Sequence, residues 1–333
     1  MSKKKKIIIL AIIFFLIAII LIYINLTQIF EYFLKISFLG ITLYFTFSFT
    51  EFLFRSIRLK QIFRSLDEDI DFSIILATYG VGALLNEISP GKTGDLTRME
   101  TIYLRNKECG VNKGLSGISI EYLLDLITLL LVFSSSSLIL SINNIQGIFI
   151  KDLQDLLFLG FILSLSLTIF IIIIFLKPKW ILNITRKISA TLYKKLKRFF
   201  ESFLAKVENF KRNKKEATFS SILSLPIWML ESLKFILIFN LTGYQINILL
   251  IILAQIIVSL PKLLPLTPGG WVVSEISGSL FLIGFISVSY DSLLSVFIVE
   301  HIIGLIFTFI FGIICQISLN FIDSGQLNKS NET

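Results

Sequence analysis

Three groups of ionisable side chains interrupt the most apolar parts of this sequence, and their spacing limits what they can do. Glu121 and Asp125 stand four residues apart in one apolar run and so share a face of the helix that run would form. Glu231 and Lys234, three apart in a second run, are placed to pair. Glu300 and His301, the only histidine, lie together in a third. A charge at mid-bilayer costs about 2.5–3.5 kcal/mol on insertion scales, so such side chains turn towards a polar interior. Two chemistries meet that condition. One is a hydrophilic groove that receives a headgroup or an ion. The other is a structural ion pair, or a position near the interface where the cost falls away. Glu231 with Lys234 reads as structural; both readings stay open for Glu121 and Asp125.

A second kind of residue breaks the apolar runs. NEISPGKTGDLTR, Asn86 to Arg98, and PLTPGGWVVSE, Pro265 to Glu275, are each built around a Pro-Gly pair. Proline lacks the N–H that a helix needs, and glycine loses the most backbone entropy on entering one. In a membrane such breaks are tolerated only where the freed backbone is buried in protein or lines a wet cavity. A pair of them in corresponding positions of two halves points to a transporter-like binding site. Three landmarks support two halves: Glu51 with Glu231, Pro90 with Pro268, and Glu121 with Glu300, at offsets of 180, 178 and 179 residues. The expected topology runs each pair through the bilayer in opposite directions, an inverted repeat.

Catalytic signatures are mostly missing. Gly91-Lys92-Thr93 looks like the end of a phosphate-binding loop, but Asn86 stands where that motif needs its first glycine. There is no HExxH and no G-x-S-x-G, and one histidine cannot build a histidine-based metal cluster. An ATP-driven pump or a hydrolase is therefore unsupported, and no metal or cofactor is expected. Cys109 and Cys315 read as reduced thiols near the cytoplasmic side.

The elements that must position these residues are membrane helices. Of 333 residues 55% are hydrophobic and only 16% charged, with mean hydropathy +0.84; soluble domains carry about 25% charged residues. The expected fold is an all-α polytopic membrane protein with six to eight membrane segments and two Pro-Gly-broken or re-entrant regions. Lys3 to Lys6, ahead of the apolar run Ile7 to Ile24, should stay in the cytoplasm. A second span, Phe33 to Phe54, returns to Arg55, Arg58, Lys60 and Arg64. Phe72 to Ile88 is short for a span, and the basic residues on both sides of it predict a re-entrant hairpin. Further apolar stretches cover Leu115 to Ile142, Leu156 to Leu176, Phe219 to Leu241, Ile246 to Leu264, Trp271 to Ile286 and Leu293 to Leu319. The side on which the second break lies is left open.

Between the halves, Lys177 to Thr218 holds thirteen Lys/Arg against three Glu, with Ile181, Ile184, Ile188, Leu192, Leu196, Phe199, Phe203, Val207 and Phe210 at three- and four-residue steps. It reads as a basic amphipathic helix on the anionic cytoplasmic leaflet, or else as a solvated linker. Nucleic-acid binding does not fit a juxtamembrane segment. The expected organisation is an anchor helix at 1–30, a first membrane repeat at 31–176, the insert at 177–218, a second repeat at 219–320 and a polar tail at 321–333.

Taken in order, Arg58, the N-x-x-x-P-G-x-x-G-[DE]-x-x-R stretch, the E-x-x-x-D helix and the P-x-T-P-G-G-x-x-x-x-E stretch resemble the flippase-like membrane domain of lysylphosphatidylglycerol synthases. That domain also occurs in stand-alone bacterial and archaeal membrane proteins. The resemblance covers roughly Phe33 to Leu319. It implies a first signature of Asn86, Pro90, Gly91, Gly94, Asp95 and Arg98, then Glu121 and Asp125, then Pro268, Gly269, Gly270 and Glu275. Asp95 stands where Glu is commoner, Tyr122 where an Arg is usual, and His301 where another basic residue is often seen. The implied function is transbilayer movement of an anionic or aminoacylated phospholipid, or of a polyprenyl-linked sugar, in the plasma membrane. Arg58, Lys92 and Arg98 would attract the phosphate, and Glu121, Asp125 and Glu300 would line the path. The synthases' soluble transferase domain is not part of these 333 residues, so lysyl transfer is not expected of them. Three alternatives stay open: a secondary transporter of a small solute, a transferase acting on a lipid-linked sugar through Asp95 with Glu121 or Asp125, and a membrane partner of a separate lipid-modifying enzyme.

Overall fold

The computed structural model describes residues 26–89, 92–105, 111–142, 151–176, 207–263 and 267–331, and these are helical with no strand among them. In chain order the helices are α1 (Leu26–Lys35), α2 (Phe38–Ser65), α3 (Phe72–Ile88), α4 (Thr93–Arg105), α5 (Val111–Ile142), α6 (Lys151–Leu176), α7 (Lys214–Leu241), α8 (Ile248–Leu263), α9 (Val273–Ile283) and α10 (Tyr290–Asn331). A single 3-10 turn, Pro268–Gly270, separates α8 from α9.

Length decides which of these can cross a bilayer, which takes about 20 apolar residues. Lys113–Ile142, Leu153–Ile173, Lys214–Leu241 and Tyr290–Ile322 pass on length and composition. The pair α1 and α2, bent by 88°, makes a fifth if it is taken as one span. The continuous span expected over Phe33 to Phe54 is therefore broken. Ser37 stops it, because its hydroxyl accepts the Gly40 N–H at 3.1 Å and starts α2 in a new direction. These four or five spans stand beside two shorter apolar helices among the described residues, Phe72–Ile88 and Ile248–Lys262. One expected span, Ile7 to Ile24, lies outside the described residues. The helices flanking the two breaks run only 17 and 13 residues (α3, α4) and 16 and 11 residues (α8, α9).

The order of lengths repeats: long, short, break, short, long, over α2–α5 and again over α7–α10. The long helices α2 and α7 pack along each other, α3 packs along α10, and each short helix packs on its partner across the break. Aromatic side chains fill the seams. Phe52 meets Tyr79, Phe307 and Phe311 edge-on, and Phe239 meets Phe297 in the same way. Leu163, Phe170 and Ile222 stand exposed on α6 and α7, the outward apolar surface that a lipid environment would cover.

Close backbone approach holds the first broken pair. A Cβ on Gly94 would run into the Gly82 carbonyl, and one on Gly82 would strike the Arg98 side chain, so α3 and α4 touch only because both positions are glycine. Most of the basic insert, 177–206, lies outside the described residues. At its end, Val207 and Phe210 are buried against Ile62, Leu66, Ile120 and Leu124. Those two apolar positions contact protein, not the leaflet surface expected of the stripe.

Candidate functional site

The buried charges converge on one cavity of about 240 Å³, lined from α2, α3, α4, α5, α7, α8, α10 and the turn between α8 and α9. Its wall carries seven carboxylates (Glu51, Glu87, Asp95, Glu121, Asp125, Glu231, Glu300) against Arg55, Lys92, Arg98, Lys234 and Lys262, with His301 between them. Charges this deep are costly unless paired and hydrogen-bonded, and most of them are.

Arg58, 0% exposed, holds the first corner from behind the wall. Its Nη1 and Nη2 donate to the two oxygens of Asp125 at 2.6 and 3.0 Å, Nη2 also donates to Glu121 Oε1 at 3.2 Å, and Nη1 to Ser224 at 3.1 Å. Trp228 Nε1 donates to Asp125 Oδ1 at 2.9 Å. The four-residue spacing of Glu121 and Asp125 thus sets both carboxylates on one guanidinium. The other Glu121 oxygen accepts from Arg98 Nη2 at 2.9 Å.

Arg98 links this corner to the first Pro-Gly segment. Its Nη1 reaches Asp95 at 3.3 Å, and its guanidinium lies 4.2 Å from the centre of the Tyr79 ring. Asp95 also accepts from Asn86 at 3.2 Å and from the Tyr122 hydroxyl. Tyr122 therefore donates one hydrogen bond to the acid and adds no charge. A third group joins α2 to α7 and α10. Lys234 binds Glu51 Oε2 at 2.8 Å and Glu231 Oε2 at 2.5 Å, Glu51 also holds Arg55 at 2.6 Å, and Tyr44 donates to Glu300 at 2.7 Å.

The second Pro-Gly segment meets the first here. Gly269 and Gly270 have φ of 57° and 77°, a left-handed backbone that favours glycine. A Cβ on Gly269 would collide with the Glu87 carboxylate, so the turn presses against the end of α3. His301 Nδ1 contacts Glu275, its Nε2 lies 3.3 Å from Glu87, and Trp271 stacks on the ring with centres 4.1 Å apart. Lys92 and Lys262 differ from the other cations: among the described residues neither has a carboxylate oxygen within 4.0 Å.

Of the residues singled out in the sequence, Asn86, Lys92, Asp95, Arg98, Glu121, Asp125, Gly269, Gly270, Glu300 and His301 line the cavity. Arg58 and Glu275 bind lining residues from outside it, Pro268 starts the turn, and Gly94 packs on Gly82. Pro90 and Gly91 lie outside the described residues. Sequence reasoning passed over Arg55, Glu87, Trp228 and Lys262 as site residues. Arg55 looked like a cytoplasmic flank, although its place four residues after Glu51 was a signal for a pair. Lys262 carried a weaker signal, a lone cation beside Pro261 in an apolar run.

Apolar outer helices around a charged inner cavity define a multi-pass membrane protein, with two helices broken where they reach that cavity. A family model, the lysylphosphatidylglycerol synthase TM region, matches residues 7–312, and the chain belongs to this family. Comparison with curated proteins gave no match, nor did comparison with solved structures.

Proposed function

We propose that this protein moves a lipid headgroup across the plasma membrane through the cavity, while the acyl chains stay in lipid. The observation that carries the reading is the meeting of both Pro-Gly breaks at one charged chamber, with Gly269 against Glu87. Family membership supports a role in lipid modification or translocation. Lys92 and Lys262, one beside each break and neither ion-paired among the described residues, can take a phosphate without first giving up a carboxylate. The surplus of carboxylates over Lys and Arg on the wall favours a headgroup that carries an amine beside its phosphate, as an aminoacylated phospholipid does. Arg58 serves by positioning Glu121 and Asp125; Arg98, Glu121 and Asp125 form the polar path.

An inverted repeat fits this function, since it would let the two halves exchange roles as access alternates. Its support is the matching order of helices in α2–α5 and α7–α10 and the meeting of the landmark pair Glu51 and Glu231 on one ammonium, Lys234. In this reading α3–α4 and α8–α9 are re-entrant pairs, the N-terminus is cytoplasmic, the part of the basic insert ahead of Val207 rests on the anionic leaflet, and a separate lipid-modifying enzyme supplies the substrate.

Native mass spectrometry tests the site. The purified protein should retain one phospholipid of the right headgroup, and Lys262→Gln should weaken that retention while the fold stays intact. Equal retention by wild type and variant removes the cavity from the account.

A further inference from the structure

His301 has a carboxylate on each ring nitrogen: Glu275 at Nδ1 and, at 3.3 Å, Glu87 at Nε2. An ionised carboxylate only accepts hydrogen bonds, and a neutral imidazole has one N–H and one lone pair. A neutral ring could serve one of these carboxylates and would turn its lone pair on the other. An imidazolium donates to both, so the arrangement holds one proton more than a neutral ring between two carboxylates. The three side chains come from three elements. Glu87 ends α3 just before the first break, Glu275 opens α9 just after the second, and His301 lies within α10. Trp271 covers one face of the ring, and an aromatic face attracts a cation.

We propose that His301 is a proton-binding site that latches the two broken helix pairs together. As an imidazolium it bridges Glu87 and Glu275; on losing its proton it keeps the closer Glu275 and releases Glu87. The other charges near it do not replace that bridge. Lys262 on α8 repels the imidazolium. Glu300, next to it on α10, is engaged by Tyr44 of α2, and Lys234 and Glu231 of α7 compensate each other. The attraction therefore rests on Glu87 and Glu275. Proton occupancy sets whether the end of α3 is clasped to α9, inside the chamber assigned above to the headgroup. The functional meaning of the latch rests on that assignment; the proton chemistry does not.

The test uses the fact that the chain has one histidine. Full-length protein labelled with ¹⁵N-histidine, purified through a tag without histidine and placed in lipid nanodiscs, gives one pair of ring resonances. Both nitrogens should be protonated at pH 8, where a free histidine of pKa about 6.5 is neutral. Glu87→Gln and Glu275→Gln, close in shape to the native side chains, should each lower the proton affinity by about tenfold to a hundredfold, the worth of one charged hydrogen bond. Spin labels at the exposed positions Ile88 on α3 and Leu280 on α9, with Cys109 and Cys315 replaced, should move apart as pH rises through the ring's midpoint. In Glu87→Gln they should already be apart at low pH. A neutral ring at pH 7 in the wild type overturns the proposal, as does a midpoint that neither variant moves. A ring that titrates with no change in the label distance overturns the latch. None of these readings needs transport, so failure of headgroup translocation leaves them standing and is told apart from them.

Discussion

Arg58→Met is the perturbation whose cost the geometry defines best. The wild-type guanidinium is fully buried and donates to Asp125, Glu121 and Ser224. Breaking a buried ion pair from one side costs about 3–5 kcal/mol, because the partner charge stays behind. Here both carboxylates keep other contacts. Glu121 still accepts from Arg98 at 2.9 Å, and Asp125 still accepts from Trp228 at 2.9 Å and faces Arg55 at 3.5 Å. The expected loss therefore falls at the low end, about 3 kcal/mol. Arg58→Lys keeps the charge but not the paired donors, so it should cost about 1.5 kcal/mol. Adding Asp125→Asn to Arg58→Met removes the stranded charge while keeping an acceptor for Trp228. That double variant should be more stable than Arg58→Met alone by at least about 1 kcal/mol. Reversible unfolding in bicelles, followed by steric trapping, reads all four proteins. A loss below about 0.5 kcal/mol for Arg58→Met, or a double variant no more stable than Arg58→Met alone, would refute the buried-pair reasoning.

Three further outcomes follow from local contacts. Gly94→Ala should destabilise the protein by about 1–3 kcal/mol, the cost of overpacking, because its methyl would meet the Gly82 carbonyl and Asn86; the same unfolding assay measures it. Tyr122→Phe removes the hydroxyl from Asp95, which keeps Asn86 and Arg98, and should cost about 1.5 kcal/mol. At the surface, the hydrogen bond from Arg64 holds the Asp69 carboxyl below its usual range. Such a group stabilises above its unfolded pKa and loses that effect as pH falls through the folded value. Because Asp69 and Arg64 are exposed, Asp69→Asn should give the wild-type melting curve from pH 7 down to pH 3.

Much of the helical frame was legible because hydrophobic runs and their breaks are local. Phe72 to Ile88, expected as one short apolar segment, is the observed extent of α3, and the run ending at Leu241 ends there in the fold. The bend at Ser37 was not legible, since a serine in an apolar run signals a cap only once the helix it starts is known. Within the site, charges spaced for one helix face could be read as a group, which is how Glu121 with Asp125 and Glu231 with Lys234 were found. Glu87 and Lys262 were missed for the opposite reason. Each lies next to a break, and the groups it faces are carried on other elements: His301 on α10 lies 214 residues from Glu87, and Glu300 on α10 and Glu231 on α7 face Lys262. Arg58 was read as a free cation awaiting a phosphate because only packing shows two carboxylates, carried on α5, closing on it.

Headgroup movement in reconstituted liposomes tests the central claim most directly. Wild-type protein in vesicles of host lipid, with labelled lipids of different headgroups quenched from outside, should accelerate quenching for a headgroup carrying phosphate and amine. Arg98→Ala and Glu121→Gln, which alter the cavity wall where the first break meets α5, should abolish the acceleration. No acceleration for any headgroup, or acceleration that both variants retain in full, would contradict a translocation path through this cavity.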